Sequence, residues 1–74
     1  GVDHTVVLGD AAQRQFAVMC FQGERLVAVE TCNRAVDHMA ARKLLQRGTT
    51  PTPQEAAAAG FELKAYEAAT RPAA

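Results

Sequence analysis

The chain has 74 residues, of which 49% are hydrophobic and 22% charged, and its formal net charge is zero. Its size allows one domain, which would bury only about 60% of the surface of the unfolded chain and be marginally stable without a partner. The balanced charge argues against a disordered tail or a chain dedicated to nucleic acid, and no apolar run approaches the roughly 20 residues of a membrane span.

Three strand-like runs open the chain. His4 to Leu8 is rich in β-branched residues and is closed by Gly9-Asp10, which is a turn signal. Gln15 to Phe21 and Arg25 to Thr31 follow, and the glycine between them, Gly23, suits the first central position of a type II′ hairpin turn. The sequence therefore predicts an antiparallel sheet of about three strands.

The hairpin register decides which side chains share a face of this sheet. With Gly23-Glu24 as the turn, strict alternation gives two faces. One face is predicted to carry Phe16, Val18, Cys20, Val27 and Val29. The other is predicted to carry Ala17, Met19, Phe21, Leu26 and Ala28, with Glu30 at its edge.

Both predicted faces are largely apolar, whereas a free-standing antiparallel sheet normally keeps one face polar. We therefore expect something outside the chain to cover the second face. The chain also starts on Gly1 rather than methionine and enters a strand almost at once. Together these features predict a fragment or processed product of a larger protein.

The hydrophobic period becomes helical after Asn33, which can cap a predicted helix over residues 35–47 that Gly48 ends. The side of this helix that is predicted to be apolar carries Val36, Met39, Ala40 and Leu44.

A second helix is predicted by the capping box Thr52-Pro53-Gln54-Glu55 and is expected to end at Gly60. Phe61 and Leu63 should anchor the next turn to the core, and residues 70–74 should form a disordered tail. The predicted fold class is α+β, with a small antiparallel sheet of about three strands followed by two short helices within residues 1–69.

Residue types that carry catalysis or bind cofactors are sparse. In the predicted register Cys20 and Cys32 lie roughly 16 Å apart, beyond the ~7 Å limit for a disulfide, so we expect reduced thiols and a cytoplasmic setting. His4 and His38 show no metal-ligand spacing. Serine, a Gly-x-Gly-x-x-Gly motif and a P-loop are all absent from the sequence. We therefore expect no catalytic, cofactor-binding or metal site in this chain.

One charge pattern is distinctive. Arg34, His38 and Arg42 recur four residues apart and share a helix face, with Lys43 and Arg47 close by. The pattern is typical of a solvated helix face with cations near its C-terminal end. It is also typical of a docking patch for an acidic protein, and the residues alone leave both interpretations open.

The run RLVAVETCNRAVDHMAARKLL, from Arg25 to Leu45, resembles the C-terminal domain of FAD-dependent ferredoxin reductases. These are the putidaredoxin reductase, rubredoxin reductase and aromatic-dioxygenase reductase group. The similarity extends from Val6-Val7-Leu8-Gly9-Asp10 to Phe61-Glu62-Leu63-Lys64 and covers about residues 3 to 66. The family's glycine-rich FAD and NAD motifs belong to upstream domains and do not occur here, and Ala35 stands where the family often has proline.

The resemblance implies a domain that packs on the FAD and NAD domains of a parent chain. The parent would be an enzyme that passes electrons from NAD(P)H through FAD to a small iron–sulfur ferredoxin, whereas this domain would have no activity alone. The resemblance carries docking of an acidic ferredoxin over to Arg42 and Lys64, and the charge pattern adds Arg34, His38 and Lys43. The rival interpretation is a free-standing, non-catalytic protein-interaction module.

Overall fold

The structure, a computed structural model, describes residues 2–72 as a three-stranded sheet followed by three helices. The strands are β1 (His4–Asp10), β2 (Gln15–Gln22) and β3 (Arg25–Cys32), and the helices are α1 (Ala35–Arg47), α2 (Pro53–Ala57) and α3 (Leu63–Ala69). The sheet is antiparallel in the order β1-β2-β3, which confirms the predicted α+β class. The short helix α3 is an addition to the two predicted helices.

The β2–β3 hairpin turns as predicted but then departs from the predicted register. Gly23 adopts a φ of 60°, and Phe21 lies opposite Leu26. Cys20 then pairs with Ala28 instead of Val27, because a β-bulge shifts the register by one residue between Cys20 and Phe21. Strict alternation was therefore the wrong assumption beyond this point of the hairpin.

The bulge redistributes the side chains of β3 between the two faces. Val29 now lies opposite Met19 and packs against the core, whereas Ala28 moves to the opposite face. Val27, the extra residue, is 40% exposed. Consequently only one face of the sheet carries the large buried side chains Met19, Phe21 and Leu26, and we call it the inner face.

The inner face and the helices enclose the hydrophobic core. Its buried members come from β2, β3 and all three helices: Met19, Phe21, Leu26, Ala40, Leu44, Ala56 and Leu63. Complete burial of one large apolar side chain contributes roughly 1.5–3 kcal/mol, so this cluster supplies most of the driving force for folding. Leu63 is fully buried and Phe61 packs against the cluster, as the sequence predicts.

The opposite face of the sheet, which we call the outer face, is apolar at its centre. It carries Val7, Phe16, Val18, Cys20 and Ala28. Val7 is 55% exposed, and the other four are half-buried. Within the described residues none of them belongs to the core cluster. An uncovered apolar face of this kind is a candidate interaction surface.

We expect the isolated chain to hide its outer face by self-association or, failing that, to be weakly stable and to bind hydrophobic dyes. Replacing Val7 and Val18, which pair across β1 and β2, with threonine should lower both self-association and dye binding. Light scattering and dye fluorescence measure these effects. A monomer with a high melting temperature and no dye binding would contradict the prediction.

Helix α1 spans the predicted residues but begins without the predicted cap. Arg34 occupies the N-cap position and makes no side-chain capping hydrogen bond. Asn33 instead adopts a φ of 53° and donates from Nδ2 to the Arg14 carbonyl at 2.9 Å. Its side chain ties the end of β3 to the β1–β2 connection and is therefore not available to cap α1. Gly48 ends the helix as predicted, at a φ of 72°.

The segments after α1 contain the predicted capping box, but the helix that it starts is shorter than predicted. Thr52 and Glu55 form both hydrogen bonds of the box, but α2 stops at Ala57, three residues before the predicted end at Gly60. Thr70 and Arg71, the first residues of the predicted tail, hydrogen-bond to α1 and α3, and the disorder of the tail stays a prediction. Residues 73–74 lie outside the described part of the chain. No helix in residues 2–72 is long and apolar enough to cross a membrane.

Candidate docking surface

The buried side of α1 differs from the predicted one. Ala40 and Leu44 are buried as expected, together with Asp37 and Ala41. Val36 and Met39, which the sequence places on the same apolar side, are 56% and 52% exposed. The helix packs on its small alanine side, which permits a close approach to the sheet and leaves the two larger side chains facing outward.

A groove runs between α1 and α3, and we call it the α1–α3 groove. It consists of two adjoining clefts of about 520 and 300 Å³. Its apolar lining comprises Ala35, Val36, Met39, Ala65 and Ala68. Its charged lining comprises Arg34, Asp37, Lys43, Glu62, Lys64, Glu67 and Arg71. The groove therefore combines apolar and charged side chains.

The five residues predicted to bind a partner do not form one continuous stripe. Lys43 and Lys64 are exposed and line the groove from α1 and α3. His38 and Arg42 are also exposed on α1, but they are not among the residues that line the groove. At about 100° per residue, His38 and Lys43 point roughly 140° apart around the helix. The partner-binding role of all five stays a prediction.

Arg34, the fifth of these residues, is held at the start of α1. Its Nε lies 2.6 Å from Oδ2 of the buried Asp37. The two groups form an ion pair, but the angles do not meet those of a hydrogen bond, and Oδ2 has no hydrogen-bond partner in the described residues. A Cβ at Gly9 would collide with the Arg34 guanidinium and with the Gln15 carbonyl. Gly9 therefore makes room for Arg34 beside the sheet.

Glu67 joins α1 to α3, a role that was not predicted from the sequence. Its side chain is 3% exposed, and its carboxylate accepts hydrogen bonds from Arg47 Nη1 at 2.9 Å and from Arg71 Nη2 at 2.6 Å. Arg47 Nη2 also donates to Thr70 Oγ1 at 2.7 Å. The i, i+4 spacing of Glu67 and Arg71 is a local signal of this contact, but nothing local links Glu67 to Arg47, twenty residues earlier.

These contacts set the charge state of the Glu67 cluster. The hydrogen bonds from Arg71 and then Arg47 outweigh desolvation and lower the pKa of Glu67 to about 2. The same carboxylate raises the pKa of Arg71. Arg47, which was predicted to lie close to the cationic face of α1, is thus paired and half-buried. Its role is to hold α1 against α3 and so to fix the walls of the groove.

Side chains that could carry redox chemistry or bind nucleotides are few in residues 2–72. Cys20 and Cys32 are free thiols on the outer face, and residues 2–72 contain no group of three metal-ligating side chains. Nucleotide phosphates bind where a glycine-rich loop leads directly into a helix. Of the described glycines with positive φ, Gly9 lies in β1 and the other three lie in separate turns, and none directly precedes a helix. The residues present do not fit a phosphate site for FAD or NAD.

Comparisons with known proteins converge on one family. The family model described as "Reductase C-terminal" matches residues 1–67. Rhodocoxin reductase from Rhodococcus erythropolis is 45% identical over 64 residues, which are 86% of this chain and 15% of that protein. The crystal structure of the ferredoxin reductase for the CYP199A2 system from Rhodopseudomonas palustris matches with a TM-score of 0.81 and 37% identity, over 90% of this chain and 17% of that one.

The chain thus spans less than a fifth of the length of either relative, and it matches both over most of its own length. The sheet, the helices after it and the sequence agree with the same group of proteins. The chain belongs to the reductase C-terminal family.

Proposed function

We propose that this chain is the C-terminal domain of an FAD-dependent reductase that passes electrons from NAD(P)H to a small iron–sulfur ferredoxin. The observation that carries the proposal is the 45% identity with a reductase over 86% of the chain. FAD and NAD(P)H would bind to other domains of the parent chain, since the residues present here do not fit them. Two free thiols are in keeping with a cytoplasmic protein.

The outer face supports packing against the FAD and NAD domains. Its apolar centre, with Val7, Phe16 and Val18, is uncovered within the described residues. Interfaces between domains of one chain bury apolar surface of this kind. The domain would therefore be stabilised by the rest of the parent chain.

The exposed cations of α1 and α3 support docking of an acidic ferredoxin. His38, Arg42, Lys43 and Lys64 are exposed, and none of them forms an ion pair within the described residues. Complementary charge accelerates encounter and orients the partners without changing the chemistry of either. This chain would bind and orient the ferredoxin, and the cofactor of the parent would supply the electrons.

Two preparations test the division of labour between this chain and its parent. The 74-residue chain should be purified without flavin and show no NAD(P)H oxidation, because it lacks a glycine-rich phosphate loop. The full-length protein should contain FAD and reduce an acidic iron–sulfur ferredoxin with NADH or NADPH. A yellow, flavin-loaded preparation of the 74 residues would contradict the first expectation, and a full-length protein without flavin would contradict the second.

The free-standing interaction module remains the alternative that the gene sequence can decide. A Gly-x-Gly-x-x-Gly motif after a strand in the upstream reading frame would favour the reductase. A start codon directly before Gly1 would favour the module.

A further inference from the structure

The outer face of the sheet carries one charge beside its apolar centre. In the described part of the sheet, three rungs of paired residues cross this face from β1 through β2 to β3. The first rung is Thr5, Cys20 and Ala28, the second is Val7, Val18 and Glu30, and the third is Gly9, Phe16 and Cys32. Glu30 is the charged member of this set, and the middle rung therefore joins two valines to a carboxylate.

The β-bulge in the hairpin is the reason that Glu30 lies on the outer face. Strict alternation would pair it with Ala17 on the inner face, whereas the shifted register sets it opposite Val18. On the outer face its side chain is exposed, and it forms no ion pair within residues 2–72. The fold thus keeps this carboxylate out of its own core and places it beside the uncovered apolar patch.

Any surface that covers the outer face must also accommodate this carboxylate. The Cβ atoms of directly opposed residues in an antiparallel pair are about 4.5–5.5 Å apart, so a cover that buries Val18 also takes water from Glu30. A carboxylate that loses water without a partner is strongly unfavourable, and a cation within reach offsets that cost. The cover should therefore present a basic side chain at this point.

The rest of the parent chain is the occupant that fits this face. The chain matches 15% of the length of one relative and 17% of the other, so most of such a protein lies outside it and can supply the cover. Interfaces between domains of one chain are more polar than permanent subunit interfaces. An apolar patch with an ion pair at its margin is typical of them. This step rests on the proposed function, which takes the parent to be a multidomain reductase.

We propose that the outer face docks on an apolar surface of the parent chain that carries a lysine or arginine, and that this cation pairs with Glu30. Val7, Phe16 and Val18 supply the buried apolar area, and the ion pair fixes the orientation of the domain. The thiol of Cys20, one rung away from Glu30, is covered by the same contact.

Alkylation of Cys20 in the folded full-length protein measures whether the outer face is covered. Peptide mass spectrometry distinguishes this thiol from every other cysteine of the parent. Because a covered thiol reacts only when the contact opens, Cys20 should react more than about tenfold more slowly than in the same protein unfolded in urea. A smaller difference would overturn the proposal, since Cys20 is only half-buried in this chain alone.

Glu30→Gln tests the ion pair through the direction of its effect. The exchange removes the charge and keeps the shape, so it leaves the cation of the parent unpaired and should raise the rate of Cys20 alkylation by about three- to tenfold. An unchanged rate would mean that the carboxylate stays in water, and a slower rate would mean that it is buried without a cation. Either result would overturn the proposal. Glu30→Lys should raise the rate further, because it opposes like charges.

The matched controls are Glu24→Gln and Glu24→Lys at the exposed hairpin turn, which should leave the rate of Cys20 alkylation unchanged. The proposed function would fail in a different way. A full-length protein without flavin, or one that does not reduce a ferredoxin, would contradict that function, whereas the rate at Cys20 reports only how this domain is docked.

Discussion

Reversing the charges of Arg42 and Lys64 to glutamate in the full-length reductase should slow electron delivery to ferredoxin by about tenfold at low salt. Reduction of the flavin by NAD(P)H should not change. Both side chains are exposed, one on α1 and one on α3, and neither forms an ion pair in the described residues. Exposed charges act mainly on association rate and are screened beyond about 10 Å at 0.1 M salt, so the defect should shrink as salt is added.

Stopped-flow measurement of both half-reactions across a salt series checks this expectation. Arg25→Glu, an exposed arginine at the β2–β3 turn, is the control for charge change alone. Equal slowing of flavin reduction would show that the variant had damaged the fold. Unchanged ferredoxin reduction at low salt would remove the docking role of the two residues. The single variants are informative as well, because Lys64 lines the α1–α3 groove and Arg42 does not.

Replacing Glu67 with glutamine should lower the melting temperature of the chain markedly at pH 7. The Glu67 side chain is 3% exposed, and its carboxylate pairs with two arginines. The amide of a glutamine would be uncharged, and its NH2 group, a donor, would face the N–H donors of a guanidinium without a hydrogen bond between them. Its hydrogen bonds lower the pKa of Glu67 from 4.5 to about 2. A carboxyl group with a depressed folded-state pKa contributes stability above its unfolded pKa, and this contribution is lost as pH falls through the folded value.

Thermal melts monitored by circular dichroism between pH 7 and pH 2 test both parts of this prediction. The wild-type chain should lose stability from about pH 4.5 toward pH 2, and the gap between it and Glu67→Gln should close over the same range. Glu24→Gln, at the exposed hairpin turn, is the matched control and should follow the wild-type curve. A constant gap down to pH 2 would mean that the loss arises from packing and not from ionisation.

The candidate site was partly readable from the sequence. The resemblance and the charge spacing singled out Lys43 and Lys64, and the structure brings these two residues to one groove. The apolar half of that groove was not foreseen, because Val36 and Met39 fit the pattern of a buried helix face. The hydrophobic pattern of a helix shows which apolar side chains share a face, but tertiary packing decides whether another element covers that face.

Local signals determined much of the fold, since each depends on residues close together in the chain. Gly23 predicts the hairpin turn, Gly48 the end of α1, and Thr52 with Glu55 the start of α2. Alternating apolar residues predict the strands, whereas the cover expected from outside the chain stays a prediction. The family resemblance could be stated from sequence for the same reason, because its motifs are short and ordered along the chain.

Only the tertiary structure decided how these elements meet. The bulge at Val27 moves Val29 onto the inner face, where it packs against the core that Met19 helps to form. Helix α3 has seven residues, about two turns, and gains its stability from burial of Leu63 and from the bond between Arg47 and Glu67. Through that bond Arg47, which was predicted to lie near the cationic face of α1, connects α1 to α3. Such contacts join residues far apart in sequence, and their energy exists only once the core has brought them together.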